Sequence, residues 1–445
     1  MEIADMLKTP EKIREFQRKL HQKAKQEKEF RFYLLYDKVY RLDILSHAYR
    51  LVRANKGAPG IDGVAFEAIE KAEGGAEKYL ESISEELKGK TYKPMPVRRV
   101  YIPKSDGGKR PLGIPTVKDR IVQMAAKLVI EPIFEADFQE NSYGFRPKRN
   151  AHQAIEDITL HLNKGYTQVI DADISKYFDT IPHDKLLKLV TKRIVDKHIL
   201  KLIKMWLNAP VVEEREDGKK EYRGNDKGTP QGGVISPLLA NIYLNVLDTL
   251  WKVKEIEEKM RARLVRYADD FVVLCKGKTE RILEGIKRTT NHLGLSLNEK
   301  KTRVVEAREG FNFLGFNIKV VKNPKTGKTF PLTRPSKKSM KHIRAEIKAM
   351  TNRTQLALAE ESIIKKVNET VRGWVGYFYF KNCSRDLQQL NEYLKERVRI
   401  YLRRKHRKVS KYKAYPNRYL YETLVLYKIP TTARWTQTAK ACGRR

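Results

Sequence analysis

Residues 263–275 read RLVRYADDFVVLC and set two adjacent aspartates, Asp269 and Asp270, between two apolar runs. Branched and aromatic side chains favour extended backbone and Asp does not. The segment therefore predicts two short strands around a tight turn, with carboxylates at the end of a buried sheet. TQVIDAD at 167–173 predicts a second strand, ending in Asp173. The chain carries 91 Lys and Arg against 54 Asp and Glu, a net charge of +37. In such a chain, carboxylates gathered at strand ends make chemical sense as ligands for hard cations. Mg²⁺ takes oxygen ligands, keeps several waters, and is bound by a few carboxylates plus substrate phosphates. Two such ions can serve an in-line displacement at phosphorus. A bare Asp-Asp turn would explain neither the second strand nor the basic hairpin described below.

The charge needs a polyanionic partner to offset self-repulsion. With 41% apolar residues the chain has material for real cores, so it is not a disordered basic tail. Cys275, Cys383 and Cys442 stand far apart with no CxxC pair, which excludes a disulfide scaffold and a zinc site built on cysteine pairs. No apolar run reaches membrane-span length, and the charged start MEIADMLKTPEKIREF lacks a signal-peptide core. The expectation is a cytoplasmic, nucleoid-associated protein of several domains with no membrane partner.

Ile13, Phe16 and Leu20 fall at helical spacing in a charged segment, either a solvated helix or a basic arm on RNA. Helices are expected over 41–56, 67–87, 117–134, 183–207 and 280–293. Between them, VRRVYIP and RPLGIP flank the turn KSDGGK as a basic β-hairpin, and 311–320 reads as a strand. Beyond Pro335 helical patterns dominate, over 336–350, 361–380 and 385–407. Residues 331–445 hold 28 Lys and Arg against 8 Asp and Glu, more than half of the net charge. Tyr401, Tyr412 and Tyr415 interleave with the cations there, suiting phosphate contact and base stacking. The fold class is α+β.

YADD together with the upstream DADISKYF resembles the active site of reverse transcriptases. The wider set resembles the reverse transcriptase–maturases encoded by bacterial group II introns. It comprises NKGAPGIDGV, VRRVYIPKSDGGKRPLGIPTVKDRIVQ, NSYGFRPKRNAHQAI, DADISKYFDTIPHDKLL, GTPQGGVISPLLANIYLNVLD, LSLNEKKT, FNFLGF and GWVGYF. It runs from about residue 42 to the C-terminus. The resemblance implies a right-hand polymerase, with fingers and palm over 41–334 after a basic helical extension at 1–40. A helical thumb, or maturase domain X, would follow at 335–407, then a basic DNA-binding-like region at 408–445. Asp173, Asp269 and Asp270 match the metal-binding aspartates, with the Ile174 carbonyl completing one shell around two Mg²⁺ ions (Mn²⁺ as a substitute). Lys104 and Arg110 match the fingers residues that clamp the triphosphate, and Gln231 matches a nucleotide contact. Phe178 matches the ring that excludes a 2′-hydroxyl, with Tyr177 the alternative. Lys301, or its neighbour Lys300, matches a proton donor to pyrophosphate. Phe313, Leu314 and Gly315 match the primer grip. Arg146 either supports the fingers or contacts template. Arg403, Arg404, Lys405, Arg407 and Lys408 are the basic cluster expected to meet RNA or DNA.

The implied activity is RNA-dependent DNA synthesis. Its partners would be the intron RNA, an RNA template, a DNA primer or target and deoxynucleoside triphosphates, with splicing assistance and target-primed copying of the intron. Alternatives are a reverse transcriptase domesticated for defence or repair and a splicing cofactor without catalysis. Many relatives continue into an HNH endonuclease with paired cysteines and histidines. Cys442 stands alone, so second-strand cleavage is not expected of this chain.

Overall fold

The structure is a computed structural model that describes residues 8–103, 108–214 and 219–432. The first described helix, Glu11–Gln26, buries Ile13 and Ala24. It runs parallel to helix Val117–Glu135, and the contact has a chemical logic. Pro132 lies inside that second helix and has no N–H, so the Leu128 carbonyl lacks its donor one turn on. Gln17 Nε2 supplies it at 2.9 Å. His21 Nδ1 and Lys25 Nζ then reach the carbonyls of Pro132 and Ala136, at 3.1 and 3.2 Å. Side chains four residues apart on one helix thus satisfy carbonyls four residues apart on the other.

Strand β1 (Val97–Pro103) pairs antiparallel with β2 (Lys109–Ile114) as the basic hairpin. Strand β3 (Gln168–Asp173) follows. Strands β4 (Val211–Glu214) and β5 (Lys220–Arg223) extend the hairpin to a sheet ordered β2-β1-β4-β5, in which β1 and β4 are parallel. Strands β6 (Ala262–Tyr267) and β7 (Asp270–Cys275) are separated by two residues, and with β8 (Arg303–Glu306) they give the order β6-β7-β3-β8. Strands β9 (Phe311–Phe313), β10 (Phe316–Lys322) and β11 (Thr329–Pro335) form an antiparallel meander.

Three sequence expectations need correction. The helical segment expected over 67–87 is two helices, Phe66–Lys71 and Gly75–Lys88, parted at Gly74 with φ +79°. The helix expected over 183–207 is two, His183–Thr191 and Lys197–Leu207. Asp196 breaks it by accepting from the amides of His198 and Ile199 as an N-cap, and from those of Leu35 and Tyr36. The strand expected over 311–320 turns back on itself at Leu314 and Gly315, both at positive φ.

The chain divides into two compact units. One comprises the described parts of Met1–Ala154, Ala172–Val273 and Lys278–Arg303; the other those of Ile155–Asp171, Leu274–Gly277 and Val304–Arg445. In the second, helices Lys337–Met350, Glu360–Phe378 and Ser384–Lys405 share a core that includes Ile347, Val371, Leu390 and Val398. Leu420, Leu426 and Ile429 belong to the same core, so the apolar residues of 408–432 fold back onto these helices. Among the described residues no helix is long and apolar enough to cross a membrane.

Candidate active site

The turn between β6 and β7 is Ala268-Asp269, and Ala268 adopts the left-handed conformation at φ +57°. Asp173 ends β3, the neighbour of β7 in the sheet. The carboxyl of Asp269 is held above its ordinary pKa, first by burial and then by the charge of Asp173, while Arg110 and Arg266 pull it the other way. Lys301 places its ammonium 3.2 Å from Asp173 Oδ2. Lys300 instead takes part in a turn through its amide, bonded to Asn298 Oδ1. Ile174 forms an antiparallel bridge with Leu297. The bonds of that bridge are made by the flanking residues, Ser175 N to Ser296 O and Asn298 N to Asp173 O, so the Ile174 carbonyl faces away from this partner.

Among the described residues no three His, Cys, Asp or Glu side chains form a ready-made cation cage. The structure brings Asp173 and Asp269 within electrostatic reach of each other, and leaves Asp270 exposed at the start of β7. Two carboxylates that repel each other, one already drawing an ammonium, fit a hard divalent ion whose other ligands are water and substrate phosphate.

A cavity of about 170 Å³ is lined by Phe178, Asp179, Thr229 and Gln231 and by Arg99, Pro111 and Gly113 of the hairpin. Arg110 Nε donates to Gln231 Oε1 at 3.0 Å, so hairpin and Gly-rich loop already touch. Gly232, at φ +113°, makes the approach feasible: a Cβ there would stand 2.3 Å from the Gly113 carbonyl. Of the two adjacent rings, Phe178 lines the cavity. Tyr177 is buried, with its hydroxyl donating to the Ala240 carbonyl at 2.6 Å.

Residues 102–318 match the family described as reverse transcriptase (RNA-dependent DNA polymerase), and residues 340–420 match the group II intron maturase-specific domain. Protein YkfC of Escherichia coli (strain K12) is 37% identical over 344 residues, covering 69% of this chain and 88% of that protein. The group II intron-encoded protein LtrA of Lactococcus lactis subsp. cremoris is 32% identical over 351 residues, covering 65% of this chain and 57% of LtrA. The chain belongs to the group II intron reverse transcriptase–maturase family. A 91 kDa protein in the cob intron of Schizosaccharomyces pombe (strain 972 / ATCC 24843) is 29% identical over 416 residues, covering 76% of this chain and 49% of that protein. The chain thus spans about half of the two intron-encoded relatives. As a member of the family it joins an RNA-dependent DNA polymerase domain to a maturase domain. Asp173, Asp269, Asp270, Arg110, Phe178, Gln231 and Lys301 all fall within the reverse transcriptase match.

Other expected contacts separate by burial. Lys104 lies outside the described residues. Arg146 is set for the supporting role. Its guanidinium is buried, forks onto Glu135 and donates to the carbonyls of Gln139 and Ser142. Lys405 is likewise engaged, its ammonium 2.8 and 2.7 Å from the carbonyls of Leu356 and Leu358. Arg403 and Arg404 are half-buried, and Arg407 and Lys408 are exposed. Phe313, Leu314 and Gly315 lie in the second unit, where the turn is held by its backbone. The Leu314 carbonyl accepts from Tyr377 Oη and the Gly315 carbonyl from Ser339 Oγ, each at 2.9 Å. Phe316 packs against Tyr377, Phe378 and Phe380, so GWVGYF anchors this turn. One residue of the polymerase unit escaped the sequence reading. Arg266, inside an apolar strand, is fully buried against a fully buried Asp248. A charged residue interrupting LV-YA was the available signal.

Proposed function

We propose that this chain copies RNA into DNA at the Asp173–Asp269 site with two Mg²⁺ ions, and binds group II intron RNA to assist its splicing and its copying at a DNA target. The observation that carries the reading is the convergence of two strand-end carboxylates with the Arg110–Gln231 bridge and the Phe178 cavity in one compact unit. Asp173 and Asp269, with the Ile174 carbonyl and Asp270, would hold the ions. When bound, Mg²⁺ supplies the charge that activates a primer 3′-hydroxyl and offsets charge on the departing pyrophosphate. Arg110 orients the triphosphate by charge-assisted hydrogen bonds, with Gln231 beside it. The Phe178 ring forms the floor on which the sugar rests and leaves no room for a 2′-hydroxyl. Lys301 gives a proton to the leaving pyrophosphate, a role supported by its ammonium lying 3.2 Å from Asp173. The basic helical region, which includes the maturase match, holds RNA through phosphates and 2′-hydroxyls.

The test is primer extension on an RNA template with Mg²⁺, comparing the wild type with Asp269→Ala. Extension should be abolished, because the substitution removes both a ligand and its charge. Equal extension by the two proteins would refute the assignment.

A further inference from the structure

The Ala268-Asp269 turn is backed by a buried polar network. Arg266 and Asp248 are both fully buried. Arg266 Nε lies 3.1 and 2.9 Å from the two oxygens of Asp248, and Nη2 reaches Oδ2 as well. Nη1 points forward, donating at 2.9 Å to the Ala268 carbonyl and at 2.9 Å to Asn241 Oδ1. Asn241 Nδ2 donates to the Gly144 carbonyl, and Asn141 Nδ2 donates to Asp248 Oδ1, each at 2.8 Å. The backbone closes the ring. Arg266 N donates to Asn141 O and Tyr143 N donates to Arg266 O, both at 2.8 Å. Gly144 lies directly over the turn, where a Cβ would stand 2.3 Å from Ala268 N.

Core packing alone does not require this arrangement. An apolar pair of similar volume commonly serves a core as well as a buried ion pair, or better. What the ion pair adds is direction. A rigid fork fixed at one end by Asp248 presents its remaining N–H groups at defined angles. One of them holds the carbonyl of the residue that takes the left-handed conformation immediately before Asp269. We infer that Arg266, oriented by Asp248 and Asn241, is a positioning residue: it fixes the Ala268 turn and so sets the placing of Asp269 against Asp173 for divalent cations. This rests on the reading of those aspartates as metal ligands. Partners that orient ligands in this way generally contribute 10–100-fold to metal affinity or activity.

The test uses the full chain with primer–template and no nucleotide, titrated with Mn²⁺ while the free-ion signal is followed by electron paramagnetic resonance. Wild type, Asp269→Ala and the double variant Arg266→Met with Asp248→Leu are compared. The double variant replaces the ion pair by apolar groups. It loses stability, because the Ala268 carbonyl, Asn241 Oδ1 and Asn141 Nδ2 each lose a partner. At a temperature where it is folded it should bind primer–template normally, yet hold Mn²⁺ about 10–100-fold more weakly. In extension assays its kcat should fall with little change in KM for the nucleotide. A folded double variant with wild-type Mn²⁺ affinity and kcat overturns the inference and leaves the ligand assignment standing. Equal Mn²⁺ binding by wild type and Asp269→Ala overturns the ligand assignment and this inference with it. If the double variant does not fold, Asn241→Ala is measured in its place. It frees the Gly144 carbonyl but leaves the Arg266 bond to the Ala268 carbonyl in place, so it is paired with Arg266→Lys, which keeps the charge beside Asp248 and removes the fork that reaches Ala268. Unchanged Mn²⁺ affinity in a folded Arg266→Lys variant overturns the inference.

Discussion

Phe178 and Tyr177 are adjacent rings with centroids 5.4 Å apart; Phe178 lines the cavity and Tyr177 is tied to the Ala240 carbonyl. Phe178→Val should open the cavity floor and raise ribonucleotide incorporation while most deoxynucleotide use survives, read by primer extension with single nucleotides. Tyr177→Phe should leave sugar choice unchanged and cost about 1 kcal/mol of stability, the net worth of its hydrogen bond to Ala240. Ribonucleotide use that responds to Tyr177 and not to Phe178 would reverse the pair. For Arg146 the expected loss is stability. Arg146→Ala strands Glu135 and should destabilise by about 3 kcal/mol, with template affinity of the folded protein unchanged at a fixed salt concentration. The aspartates could be read in the sequence because a carboxylate at the end of an apolar strand conflicts with local propensity. Arg146 could not, because charge alone does not reveal whether an arginine faces solvent or a buried glutamate.

At the scale of elements, the contact between helices Glu11–Gln26 and Val117–Glu135 makes a quantitative claim. Gln17 stands in for the donor that Pro132 removes. Gln17→Ala should therefore cost about 1 kcal/mol, measured by urea denaturation. In a Pro132→Ala background, where the Leu128 carbonyl regains its own helical donor, the same substitution should cost little. A double-mutant cycle with no coupling would show that the glutamine is incidental. The helix itself was legible, since Ile13, Phe16 and Leu20 mark one face; its docking was not, because Gln, His and Lys carry no periodic apolar signal. The break within 183–207 escaped for a related reason: Asp196 reads as one more polar residue until the amides of Leu35 and Tyr36 arrive from a distant segment. The turn at Leu314-Gly315 was hidden because a β-hairpin with leucine at positive φ lacks the usual Asn-Gly signature.

Over the whole molecule, charge and chemistry are distributed unequally, and that inequality is testable. The net +37 is concentrated in residues 331–445, with 28 Lys and Arg against 8 Asp and Glu, while the carboxylates at Asp173 and Asp269 belong to the polymerase unit. Removing negative charge at the proposed catalytic site takes nothing from the cations of 331–445 and slightly lessens repulsion of RNA. Asp269→Asn with Asp270→Asn should therefore abolish cDNA synthesis while still promoting excision of a cognate intron in low Mg²⁺. The reciprocal variant neutralises Arg403, Arg404, Arg407 and Lys408, sparing Lys405 because its carbonyl bonds support the fold. It should weaken intron RNA binding and flatten its salt dependence, yet retain extension of a short primer in low salt. With several phosphate contacts, wild-type affinity should fall by on the order of 10³-fold between about 50 and 200 mM salt. An unchanged slope in the neutralised variant would place the RNA grip on the polymerase unit. A folded aspartate double variant that loses splicing together with synthesis would show that the two activities share one site, which the separation of charge from carboxylates argues against.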